Sequence, residues 1–264
     1  MPVLGSVSEF DLDNCKRADR ERLVRMAGRA LARAGLVHAY GHCSQRLDKD
    51  HFLVSAAKPM GCITPGDRGV VVPVAGPLPE GVLGEVRIHQ RIYALRPDVG
   101  GICRSMPPNV MALGTLCRTP RPRHGFGAYF SPSVPLWDDP QLIRSDERAM
   151  GVAETLGMAR AVVMRGNGAV TAGRDLMHAV VLTWYLEDAA RVELEVLKTG
   201  LCGAELSPEE ASERATEAGR ILERMWSYLT VGDPEGELVP DPGPLHGDPK
   251  ERRLLVAEDS APST

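Results

Sequence analysis

The residues of this chain able to do chemistry lie in three short stretches. Glu85 and His89 stand four residues apart, which puts a carboxylate and an imidazole on one face of a helix. Arg104 follows the apolar run Gly101-Ile102-Cys103, so its guanidinium sits at the exposed end of a buried strand. There it brings a permanent positive charge in a planar fork, a shape that grips a carboxylate or an enolate at two points. Asn167 lies between Gly166 and Gly168, either as a substrate hydrogen-bonder or as a residue suited to a tight turn. A carboxylate that moves a proton beside a cation that stabilises developing negative charge is the chemistry these types support. Plainer roles stay open. Glu85 is also what a helix dipole favours in a first turn, and Arg104 can be an ion pair to Glu85 or to a neighbouring subunit. No Ser-His-Asp order, P-loop or dinucleotide glycine fingerprint is present, so nucleotide binding is not supported.

The spacing predicts the elements that must hold these residues. Leu23, Met26, Ala27, Ala30, Leu31 and Ala34 recur at helical intervals, giving a helix over about 19–34 that Gly35 stops. Short strands are expected at 42–47, 51–56 and 70–74, separated by turn formers, so part of the sheet is antiparallel. A helix over 84–95 carries Glu85 and His89 and ends at Arg96-Pro97. A buried strand over 100–103 and a short helix over 107–116 follow. Residues 121–140 read as loop with short strands, 149–156 as helix, and 161–164 with 169–171 as a hairpin turned by Gly166-Asn167-Gly168. A long helix over 175–201 precedes a last helix that opens at Ser207, where Pro208 and Glu210 complete a capping box. Residues 232–264 are rich in Pro, Gly and charge and read as a tail, ordered only if it docks.

Composition excludes several function classes. A net charge of -4, with no basic arm, gives no footprint for nucleic acid or an anionic membrane. No apolar run approaches the ~18 to 20 residues that span a bilayer. Met1 to Asp13 lacks the pattern of a secretory signal, and the six cysteines are scattered without a C-x-x-C pair. A cytoplasmic protein with free thiols is expected. Cys103 reads as a small core residue, since nothing near it marks an activated thiolate.

Three ordered stretches carry a resemblance. They are Gly41-His42-Cys43-Ser44-Gln45-Arg46 with Phe52 to Ser55; Glu85, His89, Ile92-Tyr93 and Arg96 to Pro107; and the run from Ala161 to Gly173. Over about residues 18–230 the chain resembles the class II aldolase/adducin family, which includes fuculose-phosphate aldolase. The resemblance implies an α/β fold, a three-layer αβα arrangement around a central, largely antiparallel sheet. It divides the chain into an arm (1–17), one domain (18–231) and a tail (232–264). It also implies a homotetramer with active sites at subunit interfaces, binding a small-molecule substrate.

The departures from the family matter as much. Family enzymes carry His-x-His after the buried strand and a third His in the later turn, and these bind a divalent metal. The corresponding residues here are Arg104, Met106 and Asn167. A guanidinium has no lone pair to give, a thioether favours soft metals and an amide oxygen hard ones. No metal and no other cofactor is therefore expected at that position. The phosphate-binding hydroxyls are also mostly missing: the turn reads Ser55-Ala56-Ala57-Lys58, and Leu83-Gly84 precedes Glu85. Lys58 suits a carboxylate or phenolate better than a sugar phosphate.

The resemblance makes Glu85 the acid/base group and sets His42 at the pocket mouth, with His89 in packing. His124 and Tyr129, in the aperiodic loop, are candidates to reach a neighbouring subunit's pocket. The expectation is a metal-independent lyase, decarboxylase or aldolase-like, or an isomerase, acting on a small unphosphorylated carboxylated metabolite, as fits biosynthesis or secondary metabolism. Glu85 and Arg104 would be catalytic, with His42, Lys58, Asn167, His124 and Tyr129 binding substrate. Two alternatives stand beside it. One is a binding or scaffold protein of adducin type. The other is an oxygenase or aldolase with a metal relocated to Glu85, His89 and His42.

Overall fold

The computed structural model describes residues 9–236, with side chains from residue 16. Its centre is a seven-stranded sheet of order β3-β2-β1-β4-β7-β6-β5. The strands are β1 (His42–Arg46), β2 (His51–Val54), β3 (Val70–Pro73), β4 (Gly101–Ser105), β5 (Leu136–Trp137), β6 (Ala161–Met164) and β7 (Ala169–Gly173). Every pairing is antiparallel except β5 with β6, at the edge.

Strand alternation sends successive side chains to opposite faces. Cys43, Leu53, Cys103, Val163 and Ala169 face one core with helices α1 (Glu9–Arg33) and α5 (Leu176–Lys198). Phe52, Val54, Ile102, Val162 and Val170 face a second core with α2 (Arg87–Leu95) and α4 (Asp146–Leu156). Both faces are covered, so the strands are apolar on both sides and the molecule has three layers. The expected α/β architecture is present. The second core is where polar groups enter, because His42, Ser44 and Arg104 share the face of Ile102 by the β1–β4 register.

Several boundaries differ from the sequence expectation. Helix α1 starts ten residues before Asp19, at Glu9. The stretch over 84–95 is one turn of 3₁₀ helix (Gly84–Val86) followed by α2, and α3 (Pro108–Thr115) leads away from β4. The single last helix is two: α6 (Pro208–Arg214), opened by the Ser207–Glu210 capping box, and α7 (Ile221–Leu229). Gly219 and Arg220 between them take left-handed conformations (φ 69° and 57°) that no continuous helix contains.

Residues 233–235, expected in the tail, dock on α1. Arg29 donates to both carboxylate oxygens of Asp233 (2.8 and 2.7 Å) and to Glu235 (2.7 Å). Arg25 also grips Glu235, and Arg33 reaches Asp233. The remainder of the tail and residues 1–8 lie outside the described residues.

Candidate active site

The 3₁₀ turn and α2 place Glu85, His89 and Tyr93 at successive four-residue steps along one face, against β1 and β4. Arg46 fixes the far end of this helix, donating to the Tyr93 and Arg96 carbonyls (2.9 Å each) while its guanidinium lies 4.5 Å from the Tyr93 ring centre. On the opposite side the β6–β7 turn brings in Asn167. Gly168 takes φ +80°, and a Cβ there would lie 2.0 Å from the Ser105 carbonyl oxygen. The turn can therefore press on the end of β4 only as glycine.

Glu85, Arg104 and Asn167 meet in one group. Arg104 Nη2 lies 3.0 Å from Glu85 Oε2 and donates to Asn167 Oδ1 at 2.6 Å. Asn167 Nδ2 in turn donates to Glu85 Oε1 (3.3 Å), which also accepts from the Ile143 backbone N–H (3.2 Å). The amide orientation follows from its partners, since only oxygen can accept from a guanidinium and only nitrogen can donate to a carboxylate. The Arg104 side chain is 3% exposed and Glu85 16%. Burial lowers the guanidinium's pKa and the Glu85 charge opposes that shift. Arg104 Nε finds no partner among the described residues.

Beside this group runs a second one. His42 Nδ1 is 2.8 Å from His89 Nε2, and His89 Nδ1 is 2.6 Å from Ser44 Oγ. Ser44 Oγ is 2.9 Å from Tyr93 Oη, which donates to the Ser44 carbonyl at 3.1 Å. His42 stands directly across from Arg104 in the sheet register, and its Nε2 is buried without a partner among the described residues. Burial first, then the neighbouring His89 and Arg104, hold His42 well below the usual imidazole range. Burial and Arg104 bring His89 down to about 3. Both shifts favour the neutral form of the rings.

The remaining expected residues lie elsewhere in this chain. Lys58 is exposed and ion-paired to Asp67 at 2.5 Å. His124 faces Asp188 at 3.6 Å. Tyr129 is buried against Tyr185, and its hydroxyl donates to the Thr216 carbonyl. Cys103 is a buried thiol pushed up to about 12 by burial, as a core residue should be. Four described cavities of about 300 to 420 Å³ are lined by other residues than Glu85, Arg104 and Asn167.

Ser44 and Tyr93 belong to the site through these hydrogen bonds, though the sequence reasoning assigns neither of them a role in it. Two signals were available: the 85–89–93 ladder, and the shared face of His42 and Ser44.

The donors present do not suit a divalent ion. At the positions expected from the resemblance to carry metal ligands, Arg104 is engaged with Glu85 and Asn167, and Met106 is half-buried. The relocated set of Glu85, His89 and His42 is not assembled either, because both His89 nitrogens already have partners. Among the described residues no group of three or more His, Cys, Asp or Glu converges.

Comparison with known proteins gives a consistent picture. The family model for the class II aldolase and adducin N-terminal domain matches residues 22–194. The chain is 26% identical over 211 residues to a 3,4-dihydroxyphthalate decarboxylase of Terrabacter sp. (strain DBF63), covering 73% of this chain and 87% of that protein. It is 25% identical over 221 residues to the protein of the same name from Arthrobacter keyseri, covering 74% and 86%. Among solved structures, L-fuculose-1-phosphate aldolase from Thermus thermophilus aligns with a TM-score of 0.60 and 30% identity, over 69% of this chain and 98% of its own.

Proposed function

Since the chain belongs to the class II aldolase and adducin family, we propose that it is a lyase that removes CO2 from a small, unphosphorylated, hydroxylated carboxylic acid without a metal in the family position. The enzyme class itself, a lyase, follows from the family and from its decarboxylase-named relatives. The observation that carries the finer reading is Arg104. The family resemblance sets its guanidinium at the position of the first metal ligand; the side chain is almost fully buried and paired to Glu85 and Asn167, while its Nε has no partner among the described residues.

In this reading the substrate's anionic group competes with Glu85 for the Arg104 fork. With the hydroxyl's proton moved to the carboxylate-bearing carbon and a carbonyl left behind, the carbon–carboxylate bond breaks, CO2 leaves, and the bond's electron pair restores the aromatic system with the charge ending on that oxygen. A fixed positive charge beside that oxygen lowers the barrier, because the charge is already oriented and largely shielded from water. Glu85, released from the fork, moves the proton that the carbon needs. Asn167 holds both partners in register before and after.

The relatives named as 3,4-dihydroxyphthalate decarboxylases support an aromatic acid with adjacent hydroxyls as the substrate class. The shortage of hydroxyls in the Ser55–Lys58 turn supports the lack of a phosphate. The family resemblance supports a site completed by a neighbouring copy in a homotetramer. Lys58, His124 and Tyr129 would contribute only across such an interface.

The test is CO2 release, followed by mass spectrometry, from 3,4-dihydroxyphthalate and related hydroxylated aromatic acids. Turnover by the wild type that is lost in folded Arg104→Met is the expected result. Equal turnover by that variant, or turnover only of sugar phosphates, would sink the proposal.

A further inference from the structure

The paired histidines have a hydrogen-bond order that their partners dictate. Four contacts join Tyr93, Ser44, His89 and His42: Tyr93 Oη to the Ser44 carbonyl, Ser44 Oγ to Tyr93 Oη, Ser44 Oγ to His89 Nδ1, and His89 Nε2 to His42 Nδ1. Four side-chain hydrogens are available, one each from a phenol, a hydroxyl and two neutral imidazoles. A carbonyl oxygen only accepts, so the Tyr93 hydrogen belongs to the Ser44 carbonyl. Tyr93 Oη must then accept the Ser44 hydrogen. Ser44 Oγ accepts from His89 Nδ1–H, and His89 Nε2 accepts from His42 Nδ1–H. All four contacts are satisfied in this order alone. The reverse order leaves the Tyr93 hydrogen on Ser44 Oγ and loses the bond to the carbonyl.

The consequence falls on the one ring nitrogen left over. His42 Nε2 carries a bare lone pair, buried, with no partner among the described residues, across the sheet from Arg104. A buried acceptor without a donor is costly to keep, and the described residues around it supply none. Arg104 stands nearby as a fixed charge, so a proton on His42 is disfavoured. What fits is a neutral O–H.

We propose that His42 Nε2 is an acceptor-only subsite that reads a substrate hydroxyl lying next to the anionic group held by Arg104, with His89, Ser44 and Tyr93 as the positioning residues that fix its tautomer. It rests on the anion-holding role of Arg104 set out above and extends it to the substrate class: a carboxylate with a neighbouring phenol or enol hydroxyl. An ether at the same place offers no hydrogen and leaves the lone pair stranded.

The experiment begins on the ligand-free full chain, labelled with ¹⁵N-histidine, whose ring resonances report which nitrogen carries hydrogen. Wild type is expected to show His42 as Nδ1–H with a bare Nε2. Tyr93→Phe removes the group that imposes the order, and a population of the Nε2–H form is expected to appear. Wild-type His42 as Nε2–H, or no tautomer change in Tyr93→Phe, would overturn the inference.

Binding by calorimetry then compares 2,3-dihydroxybenzoate, whose 2-hydroxyl lies next to the carboxylate, with 2,3-dimethoxybenzoate. Wild type is expected to prefer the hydroxylated probe by about tenfold or more, as one hydrogen bond to a buried acceptor allows. His42→Leu is expected to lose the preference, and a preference kept in full contradicts the proposal. The tautomer measurement stands if His42→Leu does not fold. Failure of both probes to bind would overturn the aromatic-acid reading together with the hydroxyl subsite drawn from it, whereas binding of both probes by wild type without preference would overturn the subsite alone.

Discussion

Among the described residues two buried arginine clusters, around Arg29 and Arg104, are built to different ends. Around Arg29 the polar groups are saturated: the guanidinium makes four hydrogen bonds, to Asp233, Glu235 and the Ile63 carbonyl. Burial works against its charge, yet the two acids more than offset it and its pKa rises. Around Arg104 one carboxylate and one amide are all that answer the charge among the described residues, and burial wins, so its pKa falls. Its Nε and the neighbouring His42 Nε2 are left open. A saturated cluster fastens chain to chain, whereas an unsaturated one holds capacity for a ligand. A buried charged group with incomplete partners marks the site better than the charge does.

The comparison breaks most readily by exchanging each arginine for methionine. Arg104→Met is expected to cut turnover about 10²- to 10³-fold, the scale of losing a preorganised donor to a developing oxyanion. It should cost comparatively little stability, because Glu85 is partly exposed and keeps Asn167 and the Ile143 N–H. Arg29→Met strands the buried Asp233 and Glu235 and is expected to cost about 3–5 kcal/mol in chemical denaturation, with kcat/KM near wild type. Swapped outcomes would remove the distinction.

Acid sharpens it. Folded His42, His89 (about 3) and His178 (about 4) titrate below their unfolded value. Below about pH 6.5 the unfolded chain takes up protons that the folded one refuses, so stability falls with pH there and is full above it. The carboxylates of Asp233 and Glu235, also held down in the fold, add a further loss at lower pH. Thermal melts from about pH 8 to 4 are expected to show a plateau and then a decline beginning near pH 6.5. A plateau persisting to about pH 5 would show that the histidines are not buried neutral.

The smallest effect lies away from both clusters. Ser207→Ala removes the cap of α6 and is expected to cost about 1 kcal/mol by denaturation without changing activity.

Much of the site was legible because it depends on short-range spacing. The four-residue step from Glu85 to His89, the end-of-strand place of Arg104 and the Gly-Asn-Gly turn are all local. Strand alternation then set His42 and Arg104 on one face. What the sequence hid is long-range. Arg25, Arg29 and Arg33 form a stripe on α1, but their acids lie about 200 residues later in a segment whose composition reads as tail. The break before α7 was hidden too, because an apolar stripe from Ala218 to Leu229 looks continuous until Gly219 and Arg220 turn left-handed. Tyr129 read as a loop residue, yet an aromatic cluster with Tyr185 buries it.

In the proposed lyase a guanidinium takes the place of a metal at the heart of the site. The direct measurement is elemental mass spectrometry on protein purified without a metal-affinity tag, with CO2 release assayed before and after chelation. A trace of metal far below one equivalent per chain, with activity unchanged by chelator, is what the Arg104 site predicts. A near-stoichiometric metal that survives dialysis, with activity lost on its removal, would contradict it.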